Sequence, residues 1–203
     1  MKQFHFLSRK ELPRAAAVMV DAFKDDPLWL KFFEGERNLE RKLPAFYEVP
    51  LRLGHRYGAT VASSPDLEGV ASWVPGEVAK TSLWRMLRSG ALGPALRMGA
   101  GLGKRMERIF GQMERDRAVN MGTTRFSYLQ IIGVATRKQG KGIGGRMIRA
   151  IQEQCRQEGL ALYLETETER NAEMYERLGF ELLKKLMLPE LDMPMWEMVW
   201  EAG

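Results

Sequence analysis

Cysteine and histidine are nearly missing from this 203-residue chain, which has one of the first and two of the second. A single thiol excludes a disulfide framework, and neither residue type recurs at the spacing that holds a zinc ion, so no metal is expected. Long apolar runs are missing too. The opening, "MKQFHFLSRKELPRAAAVMV", is charged throughout and has no stretch long enough for a secretory signal. The most apolar region, residues 83–102, is broken by Arg85, Arg88 and Arg97 and does not read as a membrane span. No run of five like charges occurs, nor any basic patch interleaved with aromatics, so no nucleic-acid partner is expected. There is no repeat, low-complexity tract or linker. These absences point to a cytoplasmic protein with neither nucleic acid nor membrane as partner.

What is present suits one soluble domain. Apolar residues make up 45% and charged residues 28%, enough to build a core and solvate its surface. The net charge of +5 favours an anionic small molecule. Residues 2–7 alternate and read as a strand. "SRKE" at 8–11 reads as a capping box, followed by a helical face of Leu12, Ala16, Met19, Val20 and Phe23 that "KDDP" closes. "PLWLKFF" and residues 38–57 read as helices, with boundaries expected near Pro44 and Pro50. "GATVASS" and "EGVASWVP" form a hairpin around "SPDL". Residues 80–120 read as two or more helices chopped by Gly90, Gly93, Gly99, Gly101 and Gly103. Beyond them come a strand at 125–134, a helix with Ile143, Met147, Ile151 and Cys155 on one face, the strand "ALYLET", the helix "RNAEMYERL", and strands at 180–188 and 195–200.

The stretch "RKQGKGIGGRM" at 137–147 places four glycines within residues 140–145, between a strand and a helix. Amides at a helix start point outward unpaired, add to the positive end of the helix dipole, and hold a diphosphate. Glycine at 140, 142 and 144 lets the backbone approach those oxygens, and Arg137 and Lys141 add positive charge. Gly140, Gly142 and Gly145 satisfy G-x-G-x-x-G, and Glu165 stands where a dinucleotide fold keeps its ribose-binding acid. Yet residues 135–139 separate the strand from the first glycine, and too little chain follows for a dinucleotide domain. A nucleoside-triphosphate loop is excluded because no G-K-[ST] occurs.

The same residues also read as Q-x-x-G-x-G, with Gln139, Gly142 and Gly144. With "IIGVATRKQGKGIGGRMI" before and "LYLETETERNAEMYERLGFEL" after, the chain resembles the GNAT superfamily of N-acetyltransferases. "AFKDDP", "ASWVPG" and "YLETETERNAEMYERLGF" are similar to its puromycin-acetylating branch. The resemblance implies a single mixed α/β (α+β) domain over residues 1–203. Its central mixed twisted sheet is flanked by helices, in the order β-α-α-β-β-α-β-α-β-α-β-β. The cofactor-binding core would span about 125–182, and helices at about 24–57 and 80–120 would form the acceptor pocket.

It further implies acetyl-CoA as co-substrate, its diphosphate on the amides of Gln139, Gly140, Lys141, Gly142, Ile143 and Gly144. The strands on either side of the loop would diverge, with backbone groups around Ile132 and Val134 meeting the thioester and pantetheine arm. Tyr175 would protonate the departing thiolate, and Asn171, four residues earlier on the same helical face, would bind the arm or orient the phenol. Glu165 is the candidate base, with substrate anchoring or a structural hydrogen bond as the alternatives. Tyr128 is a further candidate, whereas Glu167 and Glu169 in "ETETE" read as a solvated edge. His5 and His55 read as structural. Cys155 falls on a buried helical face, which excludes a covalent cysteine route. Met86, Met98, Met106, Met113, Trp84 and Phe110 would wall the acceptor pocket, with plain core packing as one alternative and, against the glycines that interrupt any long helix, an amphipathic face touching a membrane as another. The expected activity is acetyl transfer to a small primary amine by direct attack in a ternary complex. A non-catalytic acyl-CoA sensor and a protein or peptide acetylase are the alternatives, and a homodimer is left open.

Overall fold

The alternation at the N-terminus yields only the short strand β1 (His5–Phe6), in a computed structural model that describes residues 4–201. Residues 2 and 3 of the expected strand lie outside the described residues. The capping box forms by half. The Glu11 carboxylate accepts from the Ser8 amide at 2.8 Å and the Ser8 hydroxyl at 2.7 Å, so that hydroxyl donates instead of capping. Helix α1 (Leu12–Ala22) therefore begins after this turn, with Pro13 in its first turn and Leu12, Ala15, Ala16 and Met19 buried at three- and four-residue steps. "KDDP" closes α1 and also opens α2 (Pro27–Phe32). Asp26 Oδ1 accepts from the amides of Leu28 at 3.0 Å and Trp29 at 3.2 Å.

Helix α3 (Leu39–Tyr57) runs unbroken through Pro44 and Pro50, where boundaries were expected. An interior proline removes one helical hydrogen bond and costs about 3 kcal/mol. Burial of Ala45, Phe46, Tyr47, Leu51 and Leu53 is the opposing influence. Two buried hydroxyls also tie α3 to the hairpin of β2 (Ala59–Ala62) and β3 (Gly69–Pro75): Thr60 Oγ1 donates to the Leu51 carbonyl at 2.9 Å, and Ser72 Oγ to that of Pro50 at 3.0 Å. The contact is close enough that a Cβ on Gly54 would lie 2.0 Å from Ser72 Oγ.

Between β3 and the next strand lie α4 (Gly76–Ala79), α5 (Leu83–Ser89), α6 (Leu92–Met98) and α7 (Ala100–Met121). Gly90 and Gly99, with φ of 77° and 88°, are the joints that end α5 and α6. Gly101 and Gly103 do not break the chain as expected; they sit inside the first turns of α7. The remaining elements are β4 (Phe126–Val134), α8 (Ile143–Glu158), β5 (Ala161–Thr166), α9 (Glu169–Arg177), β6 (Glu181–Leu188) and β7 (Met193–Trp200).

The seven strands form one mixed sheet in the order β1-β2-β3-β4-β5-β7-β6, in which β4 and β5 are parallel and the other neighbours antiparallel. One apolar cluster joins residues of α1–α3, α6 and α7, among them Met19, Phe32 and Leu51. A second joins α8 and α9 to β5 through Met147, Ile151, Leu162 and Leu164. The mixed α/β class and the strand sequence agree with expectation. Among the described residues no helix is long and apolar enough to cross a membrane.

Candidate active site

The parallel pair β4–β5 stays together for three register positions only: Phe126 with Ala161, Ser127 with Leu162, and Tyr128 with Tyr163. Past them the strands separate. A bulge opposite Ser72 and Trp73 contributes, leaving Gln130 without a partner on β3. The resulting gap is lined by residues 129–132 of one strand and 164–167 from the other, closed by Phe23, Trp29, Asn171 and Tyr175. Ile132 lines it. Val134 does not, and its carbonyl accepts from Gln139 Nε2 at 3.0 Å.

The glycine loop follows β4 after a short 3-10 turn over Thr136–Lys138, and this connection is held against α1. The Thr136 amide donates to Asp21 Oδ2 at 2.7 Å, and Thr136 Oγ1 donates to the Asp21 carbonyl at 2.9 Å. Lys138 pairs with Glu68. Gly140 and Gly142 take φ of 75° and 71°, a region that side chains with a Cβ disfavour, and Gly142 caps α8. No atom would meet a Cβ on Gly140 within 4 Å, so the loop's outer side is open. Arg137 and Lys141 are exposed beside it. The fold thus provides free amides, a helix start and unspent positive charge for a diphosphate.

Two carboxylates, Glu165 near the end of β5 and Glu167 just past it, face the gap, and their surroundings differ. Glu165 has both oxygens engaged: Arg117 Nη1 donates to Oε1 at 2.8 Å, and the Tyr128 hydroxyl donates to Oε2 at 2.5 Å. The Arg117 guanidinium also stacks 4.1 Å from the centre of the Tyr128 ring. Burial raises the Glu165 carboxyl above its ordinary range, against the opposing pull of Arg117 and Tyr128. Glu167 has weaker support. Asn171 Nδ2 reaches its Oε1 at 3.4 Å, and burial together with the neighbouring Asp26 carboxylate pushes it up to about 8. Tyr175 is buried one turn after Asn171, its ring edge-on to Phe180 at 5.4 Å, and burial with the nearby Glu167 holds its phenol protonated well above neutrality.

A second cavity of about 270 Å³ adjoins the gap. Trp29 and Phe46 line it from α2 and α3, and Met98, Met106, Phe110 and Met113 from α6 and α7. Trp29, Gln130, Ile131, Glu165 and Glu167 border both spaces, so the two carboxylates stand where gap and cavity meet.

Residues 99–182 match the family model described as an acetyltransferase (GNAT) domain. That stretch of the chain is similar to the GNAT acetyltransferases. An uncharacterized N-acetyltransferase of Schizosaccharomyces pombe is 29% identical over 176 residues, covering 84% of this chain and 71% of that protein. Among solved structures, a Corynebacterium glutamicum protein described as histone acetyltransferase HPA2 and related acetyltransferase aligns with a TM-score of 0.64. Its identity is 19%, over 99% of this chain and 96% of that one. Drosophila melanogaster polyamine N-acetyltransferase, described as forming N-acetylagmatine, aligns with a TM-score of 0.69 at 12% identity, over 98% of each chain.

On this GNAT fold the sequence-derived candidates fall into two groups. Ile132, Asn171, Tyr175 and Glu165 converge on the gap. Arg137, Gln139, Gly140, Lys141, Gly142, Ile143 and Gly144 form the loop and helix start beyond β4, with Ile143 packed into the core and the Gln139 side chain turned inward to the Val134 carbonyl. Of the expected acceptor-pocket residues, Met98, Met106, Met113 and Phe110 line the cavity. Met86 packs instead against Leu53, Val74 and Ala91, and Trp84 is exposed. His5 pairs with Glu11 at 2.6 Å, and the Cys155 thiol is buried and pushed up to about 11, which suits a packing role.

Arg117, Asp26, Trp29 and Gln130 of this site were not anticipated from sequence. Arg117 had a visible signal: it extends the buried stripe Leu102, Ile109, Met113 at the next four-residue step, where an arginine needs a partner. Glu167 was read as a solvated edge. Its partial burial comes from α2, about 140 residues away in the chain, which spacing cannot reveal.

Proposed function

We propose that this chain transfers an acetyl group from acetyl-CoA to a primary amine on a small, largely apolar molecule, by direct attack in a ternary complex. The observation that carries this reading is the meeting of gap and cavity at Glu165 and Glu167, which gives two substrates separate entrances to one polar point. The loop amides from Gly140 to Gly144, with Arg137 and Lys141, suit the diphosphate of coenzyme A; the Gln139 amide, expected to join them, donates instead to the Thr136 carbonyl at 3.3 Å. Backbone groups near Ile132 and the Asn171 side chain suit its arm. Acetyl-CoA supplies the activated carbonyl.

The amine enters through the aromatic and methionine walls of the cavity, whose carboxylates suit an ammonium group. Glu167 takes its proton. Glu165, anchored by Arg117 and Tyr128, is better placed to hold the ammonium than to receive that proton. The nitrogen lone pair then forms the N–C bond while the C–S bond breaks, Tyr175 donates its phenolic proton to the thiolate, and the proton lost by the new amide nitrogen restores the phenol. The polyamine substrate of the Drosophila neighbour supports an amine acceptor, and the aromatic walls favour one with an apolar body.

Calorimetric titration with acetyl-CoA, using NADH as control ligand, tests the donor, and thiol release across a panel of amines tests the acceptor. Tyr175→Phe is expected to lower kcat about 100-fold while leaving acetyl-CoA affinity within about twofold. Silence with acetyl-CoA and a signal with NADH would overturn the reading in favour of a dinucleotide site. Binding without thiol release from any amine would leave a sensor.

A further inference from the structure

Residues 78–106 contain six lysines and arginines and no acidic side chain. The fold turns much of this segment outward. Leu83, Trp84 and Leu87, at i, i+1 and i+4 on α5, are 69%, 62% and 54% exposed, and Leu96 on α6 is 72% exposed. Single exposed apolar residues are ordinary, but three on one face of a seven-residue helix are not. Cations surround them. The Arg88 guanidinium lies 5.7 Å from the centre of the Trp84 ring, Arg85 donates to the Lys80 carbonyl at 2.6 Å, and the Arg9 guanidinium closes over Gly90 at the α5–α6 joint. Lys80 and Arg97 have carboxylate partners, Glu114 at 3.0 Å and Glu48 at 2.6 Å. Arg9, Arg85 and Arg88 form no such pair among the described residues.

We propose that this face docks onto an anionic lipid surface, with Leu83, Trp84 and Leu87 entering the headgroup boundary and Arg9, Arg85 and Arg88 facing the phosphates. The combination of leucine and tryptophan with unopposed arginine is what an interfacial helix needs, and it serves a peripheral attachment without any spanning segment. A second copy of the chain fits less well, because a two-fold contact would set Arg85 and Arg88 against their own equivalents. Nucleic acid would engage the arginines but leave the leucines unused. The same segment supplies Thr81, Met98 and Met106 to the cavity wall, so docking would bring the acceptor entrance close to the lipid. That consequence rests on the acceptor reading; the docking itself does not.

The test is co-sedimentation of the full chain with vesicles of phosphatidylcholine alone and of phosphatidylcholine mixed with phosphatidylglycerol. Binding is expected on the anionic vesicles, at least about 10-fold weaker on neutral ones and lost in high salt. Two exposed-surface variants should each reduce it about 10-fold or more: Trp84→Ser with Leu87→Ser, and Arg85→Glu with Arg88→Glu. Neither touches the site, so thiol release with a water-soluble amine should be unchanged and shows that the variants are folded; circular dichroism gives the same control if no amine is found. No binding to anionic vesicles, or binding that both variants retain, overturns the proposal. So does a concentration-dependent dimer abolished by Leu87→Ser, or binding to DNA in place of vesicles.

Discussion

Glu165 and Glu197 stand directly opposite each other in the antiparallel β5–β7 ladder, which puts both carboxylates on one face of the sheet. Arg117 answers the first. The second is completely buried and accepts only from Asn120 Nδ2, at 2.7 Å, while its other oxygen has no partner among the described residues. Burial and the facing Glu165 push the Glu197 carboxyl up to about 7. The folded chain therefore holds a proton that the unfolded chain releases near 4.5, and stability is lost as pH climbs through that window toward 7. Glu167 extends the loss to about 8. The melting temperature should fall between about pH 5 and pH 8, and Glu197→Gln should flatten part of that slope and raise the value at the alkaline end by on the order of 3 °C. A flat or rising profile for the unaltered chain would contradict the assignment.

Glu167 gives the rate its own pH signature. A base must be deprotonated to act, so kcat should rise with pH to a plateau, with an apparent midpoint near 8. Tyr175, held protonated well above neutrality, adds no falling limb in the same range. Glu167→Gln should abolish the rising limb and lower kcat about 100-fold, with KM for acetyl-CoA within about twofold. Glu165→Gln should keep the limb and raise KM for the amine. If the limb vanishes with Glu165→Gln instead, the two carboxylates exchange roles.

Arg117 and Glu165 form a buried ion pair whose two halves are unequal to the fold without each other. Arg117→Met strands a carboxylate and should destabilise the chain by about 3–5 kcal/mol at neutral pH. Adding Glu165→Gln should recover more than half of that loss. Denaturant melts of the two single variants and the double variant give the coupling, and simple additivity would show that the pair does not act as a unit.

Gly142 tests the loop. Its φ of 71° disfavours a Cβ, and the position caps α8 where the free amides converge. Gly142→Asp places a negative charge at the diphosphate position and should weaken acetyl-CoA binding at least about 10-fold by calorimetry. Melting should fall by only about 2–4 °C, the cost of a Cβ at this φ, since the outward side of the cap is open apart from the Arg146 guanidinium. Unchanged affinity would remove the loop from the binding site.

The parts of this architecture that depend on near neighbours in the chain were legible in the sequence. Strand, glycine loop and α8 are consecutive, and the unusual backbone of Gly140 and Gly142 is announced by the glycines themselves. The same holds for Asn171 and Tyr175, one turn apart on α9. What escaped depends on distant contacts. Pro44 and Pro50 suggest breaks, yet α3 continues because Leu51, Phe46 and the Thr60 and Ser72 hydroxyls hold its buried side. Gln130 is a bulge only because of its register against β3. Glu167 looks solvated in "ETETE" until α2 closes over it with Trp29 and Asp26.

Among the described residues, three register pairs of β4 and β5 join β1–β4 to β5–β7 within the sheet. The domain is therefore built like a clothes peg, gripped at Tyr128 and Tyr163 and open at the far end of both strands. A molecule that bridged the jaws by hydrogen bonding to backbone near Ile132 on one side and Asn171 on the other would act as the absent rungs of the ladder. Its binding would stiffen the whole sheet, well beyond the atoms it touches.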